Sequence, residues 1–262
     1  MKTKHTAVLL IIFLLSANVL ADKSDSPTPT RKTFNVLFIG NSYIYTNNLD
    51  TVLKNLALSA NPQIKLNTKR IVIGGATLQK HYSDPNTLTQ IKKGDWDYII
   101  LQDHSLRPVN DPEKFYTYAK KFHSEIQKTK AKTVFFMTWA RKKKPEMIIP
   151  LSTAYTMIAK QLKEQAAPVG LAWDMSLKTR PKLTLHTKDG SHPNQNGTYL
   201  AACVFYATLT NQSPVGLSNA KIEMISPETA VFLQNVAWNT VKEYRKKSSQ
   251  KSHTPKSTDI DV

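Results

Sequence analysis

Two short stretches carry residue types able to do nucleophilic chemistry. The first is Gly40-Asn41-Ser42-Tyr43, at the end of the apolar run Phe34-Asn35-Val36-Leu37-Phe38-Ile39. The second, far downstream, is Asp189-Gly190-Ser191-His192-Pro193. A serine hydroxyl is a weak nucleophile until a neighbouring base takes its proton. An imidazole suits that task when its second ring nitrogen is held by an acceptor, which fixes the tautomer and stabilises the imidazolium that forms. Asp189, three residues before His192 across a Gly-Ser turn, can fold back to supply that acceptor. Pro193 then suits the first position of a helix. Each stretch also has an ordinary reading: Ser42 as a turn or cap serine, and Asp189 and His192 as a solvated polar helix start. The chain lacks a Gly-x-Ser-x-Gly elbow, which argues against an α/β-hydrolase type of serine site.

These residues have to be positioned by regular elements. The run 34–39 is short, apolar and flanked by polar segments, so it predicts a buried strand. A helix is expected over 48–60, with Leu49, Val52, Leu53, Leu56 and Ala57 on one face. A second strand over 64–73 ends in Gly74-Gly75, and a short helix over 87–93 precedes a third strand over 97–101. Asp111-Pro112-Glu113 opens a helix to about 129. A fourth strand over 133–138, a helix over 150–166 and a fifth strand over 169–173 follow. The segment 174–191 is expected to be irregular. Helices are then expected over 194–210, interrupted near Gly197, and over 226–244. Alternating strands and helices predict a parallel sheet with helices on both faces. The chemically suggestive clusters each follow a strand: Ser42, Gly74-Gly75, Gln102-Asp103-His104, Trp139, and Asp189 with His192. A parallel sheet brings such ends to one edge, where open α/β folds hold their ligands.

The chain has 262 residues, enough for one sizeable core. Residues 1–21 combine a basic start, a short apolar stretch and small residues before a polar segment, which describes a signal peptide cleaved after Ala21. Residues 22–33 are expected to be a flexible leader, 34–244 the folded domain, and 245–262 a disordered basic tail. No later stretch is apolar enough to cross a bilayer, so an exported protein, periplasmic or secreted, is expected. The single cysteine, Cys203, rules out an internal disulfide and lies in an apolar run, where an inert buried thiol is expected. The formal charge is +17, two of those positive charges lying in the first 21 residues. A charge of this size draws the protein to anionic ligands. No zinc-finger spacing, RNA-recognition motif or helix-turn-helix points to nucleic acid. His81, His104, His123 and His186 make no recognisable metal-ligand pattern, and no metal or cofactor is expected.

The Gly-Asn-Ser after the first strand, the glycine after the second and the Asp-x-x-His near the end resemble the SGNH (GDSL-type) hydrolases. The resemblance spans about residues 34–210. It implies an α/β class fold, a three-layer α/β/α sandwich on a five-stranded parallel sheet of flavodoxin-like type, with Ser42, His192 and Asp189 as a catalytic triad. In such enzymes the oxyanion is held by the serine N–H, a glycine N–H and an Asn side chain. Here Ser42 and Gly75 match the backbone donors. The third block departs from the family, reading Leu101-Gln102-Asp103-His104-Ser105 where Gly-x-Asn-Asp is usual, and the usual Gly-Asp-Ser-Leu reads Gly40-Asn41-Ser42-Tyr43. Gln102 offers a carboxamide in place of the missing Asn, His104 is the rival donor, and Asn41 either contacts substrate or braces the turn.

Basic residues crowd the segments that should flank the site: Arg107, Arg141, Lys142, Lys143, Lys144, Lys178, Arg180, Lys182 and Lys188. Such loops suit an anionic substrate through electrostatic focusing. Trp139 offers a flat face to a sugar. The expectation is deacylation of an acylated small molecule or glycan, with a short acyl group such as acetyl implied by the resemblance. The alternative is a non-catalytic glycan- or surface-binding protein on the same fold.

Overall fold

The computed structural model describes residues 32–60, 63–218 and 225–250. In chain order the elements are β1 (Lys32–Gly40), α1 (Ser42–Tyr45), α2 (Leu49–Leu58), β2 (Ile64–Val72), α3 (Leu78–Tyr82), α4 (Pro85–Lys93) and β3 (Tyr98–Leu101). Then come α5 (Arg107–Asn110), α6 (Pro112–Ile126), β4 (Lys132–Phe136), α7 (Ile148–Gln161), β5 (Gln165–Ala167), α8 (Val169–Thr179), α9 (Gln195–Thr210) and α10 (Pro227–Gln250). The five strands form one parallel sheet in the order β2-β1-β3-β4-β5.

Side chains alternate across a strand, so β1 feeds two cores. Val36 and Phe38 join the core that α2, α8, α9 and α10 cover. Leu37 and Ile39 join the core under α3, α4, α6 and α7. This is the expected three-layer α/β/α sandwich. Between β1 and β3 the chain switches from building one side of the sheet to building the other. Ile39 is paired with Leu101 at the carboxyl end of that boundary. Open α/β sheets have their ligand crevice at such a switch point, and Ser42 and His104 both lie just beyond it.

The fifth strand is not where the apolar run predicts it. Residues 169–173 belong to helix α8, and the strand is the short edge segment Gln165–Ala167, paired to β4 from Val134↔Gln165 to Phe136↔Ala167. The reason is periodicity: Val169, Ala172, Trp173 and Ser176 are all buried, and their spacing of three and four puts them on one helical face. The short helix α3 was not anticipated. It is capped by the Thr77 side chain, which accepts from Lys80 N.

Helix α9 runs without the break expected near Gly197. A Cβ at that position would overlap the Trp173 ring and the Leu185 carbonyl, so glycine here serves close packing and does not end the helix. Cys203 is buried within α9, and burial pushes its thiol up, away from the reactive thiolate. The strand β1 begins at Lys32, inside the expected leader. Helix α10 continues to Gln250, past the expected start of a disordered tail. Arg245 anchors it, donating to the Ala207 and Thr208 carbonyls and to Asn211 Oδ1 at the end of α9. A cation on the last carbonyls of a helix is favourable on dipole grounds as well. The expected signal peptide, 1–21, the leader as far as residue 31 and the tail from 251 lie outside the described residues. Among the described residues no helix is long and apolar enough to cross a membrane.

Candidate active site

Ser42 follows β1 by two residues and opens α1, so its backbone N–H is one of the donors a helix start leaves without a partner. The turn before it is fastened by Asn41. Its side chain accepts from Tyr43 N at 3.2 Å and donates to the Ala76 carbonyl at 3.0 Å. Asn41 is buried, and this cross-tie joins the nucleophile turn to the Gly74–Gly75 turn after β2. Of the two roles expected of Asn41, the brace is the one its contacts describe.

His192 sits in a hairpin between α8 and α9. Asn194 N donates to Leu185 O at 2.8 Å, Thr187 N to His192 O at 2.8 Å and Gly190 N to Thr187 O at 3.1 Å. Gly190 turns the tip at φ 71°, in the left-handed region that favours glycine. The tip is pinned to the rest of the fold from three sides. Tyr43 Oη and Ser191 Oγ share a hydrogen bond at 2.8 Å, Trp139 Nε1 donates to Ser191 O at 3.0 Å, and Lys142 N donates to Gly190 O at 2.9 Å. Asn47 Nδ2 adds a bond to Pro193 O at 2.9 Å.

The two distant stretches meet. His192 Nε2 lies 2.8 Å from Ser42 Oγ, and His192 Nδ1 lies 2.5 Å from Asp189 Oδ2. Asp189 Oδ1 accepts from Thr187 Oγ1 at 2.7 Å, Ser191 N at 2.8 Å and His192 N at 3.0 Å. The His192 bond, then the Ser191 N–H, holds the Asp189 carboxyl below the usual carboxylate range. The side chains of Asp189 and His192 are 48% and 36% exposed, so the dyad stands at the surface of the crevice. An ionised carboxylate on Nδ1 leaves Nε2 as the acceptor facing the hydroxyl, the arrangement general-base chemistry requires.

Gly75 is exposed at φ 64°, and its N–H donates to no acceptor among the described residues. Gln102 does not take the role expected of it. It is fully buried; its Oε1 accepts from Asn41 N at 2.8 Å and its Nε2 donates to the Asp103 carbonyl. The carboxamide is turned into the protein and holds the nucleophile turn from behind. His104 is the partly exposed side chain of the block. Its Nδ1 accepts from Leu106 N at 3.3 Å, so in the neutral ring the proton sits on Nε2. Burial, then the nearby Arg141 and Arg107 charges, lowers its pKa and favours that neutral form.

Trp139 is corrected too. It is fully buried, stacked on Tyr43 at 4.4 Å and on Trp173 at 4.0 Å between centroids. Both faces are covered, so it presents none to a sugar. Its work is to set the plane of Tyr43, which makes a T-shaped pair with His192 at 5.7 Å between centroids. Arg141 is partly buried and donates from Nη2 to Ser105 Oγ at 3.2 Å. Sequence reasoning missed Tyr43, Thr187 and Ser191 as supports of the hairpin. They carry no local motif, and only the three-dimensional contact reveals them. His186, bridged to Pro193 across the hairpin, is buried, with Nε2 bonded to Ala140 O at 3.0 Å.

No family model matches the sequence, and no curated protein matches it either. Solved structures do match the fold. A DUF4886-family protein from Bacteroides uniformis superposes with a TM-score of 0.68 at 20% identity, covering 80% of this chain and 95% of that one. A protein from Slackia heliotrinireducens assigned to the SGNH hydrolases gives 0.54 at 22% identity, over 68% of this chain and 100% of its own. A mutant of Axe2, an acetyl-xylooligosaccharide esterase from a Geobacillus, gives 0.55 at 12% identity, over 70% and 97%. The chain therefore has the SGNH-type α/β/α fold.

Proposed function

We propose that this protein is an exported serine esterase. One observation carries the reading: the unbroken hydrogen-bond chain from Ser42 Oγ through His192 to Asp189, at the sheet's switch point. The likeness of fold to an SGNH hydrolase and to an acetyl-xylooligosaccharide esterase supports it, and the first 21 residues support export.

His192 Nε2 takes the Ser42 proton as Oγ attacks the ester carbonyl carbon. The carbonyl oxygen becomes an oxyanion, received by the Ser42 and Gly75 N–H groups. His104 Nε2–H replaces the absent Asn as third donor. Such a donor is typically worth about 3 kcal/mol of barrier lowering. The intermediate collapses when the bond to the alcohol oxygen breaks and His192 returns the proton to that oxygen. The acyl group stays on Ser42. A water then gives a proton to His192 and its oxygen attacks the acyl carbon; the bond to Ser42 Oγ breaks, His192 returns the proton to Oγ, and the carboxylic acid leaves. Asp189 keeps the imidazole in register throughout. A short acyl group, such as acetyl, on a carbohydrate is the substrate this reading favours.

The test is turnover of p-nitrophenyl acetate by wild type and Ser42→Ala, with mass-spectrometric capture of the acyl group on Ser42. Turnover that survives Ser42→Ala, with no adduct on wild type, refutes the proposal. Export is tested separately by the N-terminus of the mature protein, expected at Asp22.

A further inference from the structure

Among the described residues, Arg141, on the loop after β4, has no carboxylate against it. Arg107 pairs with Asp111 at 2.8 Å and Arg180 with Glu228 at 3.2 Å. Arg141 pairs with no acid among the described residues. Of its five N–H donors one is used, by Ser105 Oγ at 3.2 Å, and its Nε is buried with no acceptor. A partly buried guanidinium whose inner N–H has no acceptor gains when an anion arrives on its open side. Arg141 is also well held for such a task. Ser105, its anchor, is buried, and the next residue, Lys142, is tied through its backbone N–H to Gly190 of the catalytic hairpin. Arg141 is thus fixed to the His104 loop through its side chain and to the segment that carries His192 through its neighbour's backbone.

Most of its charged neighbours have the same sign, and Asp174, a carboxylate on the hollow beside it, is paired with Lys178 at 2.8 Å. Lys142, Lys143, Lys144 and Lys188 are exposed and make no ion pair among the described residues. Arg141 and Lys142 also line a hollow of about 280 Å³ on the hairpin's flank, with Pro145, Leu183, Thr184 and His186. A hollow of that size takes a single ring on the flank of the hairpin, away from the reacting atoms, since none of Ser42, Gly75, His104, Asp189 and His192 lines it. A rim of unmatched cations attracts repeated negative charge, whereas one rigid fork reads one oxyanion geometrically.

We infer that Arg141 is a specificity-determining residue that binds an oxyanion, carboxylate, phosphate or sulfate, carried on the alcohol half of the ester. The alcohol half is assigned because the cationic rim suits a polyanionic chain, and an acyl group released as a small acid has no such chain. This inference rests on the esterase reading for its catalytic arm and is independent of it in the binding arm.

The experiment compares kcat/KM for 4-acetoxybenzoate and its uncharged methyl ester, and for p-nitrophenyl hemisuccinate and p-nitrophenyl butyrate. Wild type is expected to prefer the first anion over its neutral twin at least tenfold, with no such preference in the acyl-side pair. The preference should shrink severalfold between 20 mM and 300 mM salt, as screening requires. Arg141→Met should reduce the ratio to near one, mostly through KM, and Arg141→Lys should restore part of it. An acyl-side preference, or an alcohol-side preference that survives Arg141→Met, overturns the inference. In the binding arm an oligogalacturonate and an oligosaccharide sulfate are titrated into Ser42→Ala, with and without Arg141→Met. At least fivefold weaker binding of one of them in the double variant supports the inference, and equal binding of both refutes it. If no ester is turned over, the esterase reading fails and the binding arm still decides the role of Arg141.

Discussion

His192 Nε2 stands 2.8 Å from Ser42 Oγ although 150 positions separate the two residues. Neither group is catalytically useful alone, so their effects should not add. Ser42→Ala, His192→Ala and the double variant are each expected to lower kcat by about four to six orders of magnitude, all to a similar floor. Both side chains are partly exposed, so thermal midpoints should move little. Steady-state kinetics beside thermal melts check this. Additive losses would show that the two act separately.

Asp189 should matter through the tautomer it imposes. Asp189→Asn keeps the shape of the hairpin but offers Nδ1 an amide, and kcat should drop about 10⁴-fold. Because the native carboxyl is held below its usual range, it remains ionised as pH falls through 5 and 4. A pH profile of kcat/KM is therefore expected to show no inflection belonging to this carboxylate. Its contribution to stability has the matching sign: present above the ordinary carboxylate range and lost only as pH drops through the depressed value.

Gln102 and His104 should separate cleanly. Gln102→Ala leaves Asn41 N buried without an acceptor, a loss of about 1–3 kcal/mol of stability. His104→Ala removes a partly exposed ring and should leave the melt nearly unchanged while kcat falls about 10²-fold or more. Chemical denaturation and kinetics on both variants measure it. The reverse pattern would return the oxyanion role to Gln102.

Trp139→Ala should cost about 3–5 kcal/mol, since it empties a fully buried site between two stacked rings. Trp139→Phe restores a ring but not the Nε1–H bond to Ser191 O, so it should lower kcat more than stability. Denaturant midpoints and kcat for the pair provide the readout.

Asp103 gives a pH-dependent prediction. Its buried carboxyl accepts from Leu78 N at 3.1 Å and His104 N at 2.6 Å, yet burial pushes its pKa up to about 6. The folded form therefore binds this proton more tightly than the unfolded chain does. Stability from this group is greatest below about pH 4 and falls as pH rises through 6. Asp103→Asn does not titrate. Relative to it, wild type should lose roughly 2–3 kcal/mol between pH 4 and pH 7, read from denaturant melts at each pH.

The amino-acid order by itself determined the parallel sheet, since short apolar runs alternate with helix-length segments, and it determined the identity of the chemical groups. Ser42, Asp189 and His192 stood out because a hydroxyl after a strand and an Asp-x-x-His are local patterns. Local pattern also misled at 169–173, where an apolar run long enough for a strand has its buried residues at helical spacing. Tertiary structure alone decided the rest. Which amide faces outward, Gln102 or its neighbour, depends on what lies behind the sheet's edge, and Asn41 claims Gln102 from a strand away. Whether Trp139 shows a face or hides both depends on Tyr43 and Trp173, nearly a hundred and just over thirty positions distant. Such outcomes are set by packing between segments remote in sequence, and a chain's local order does not contain the distances that packing creates.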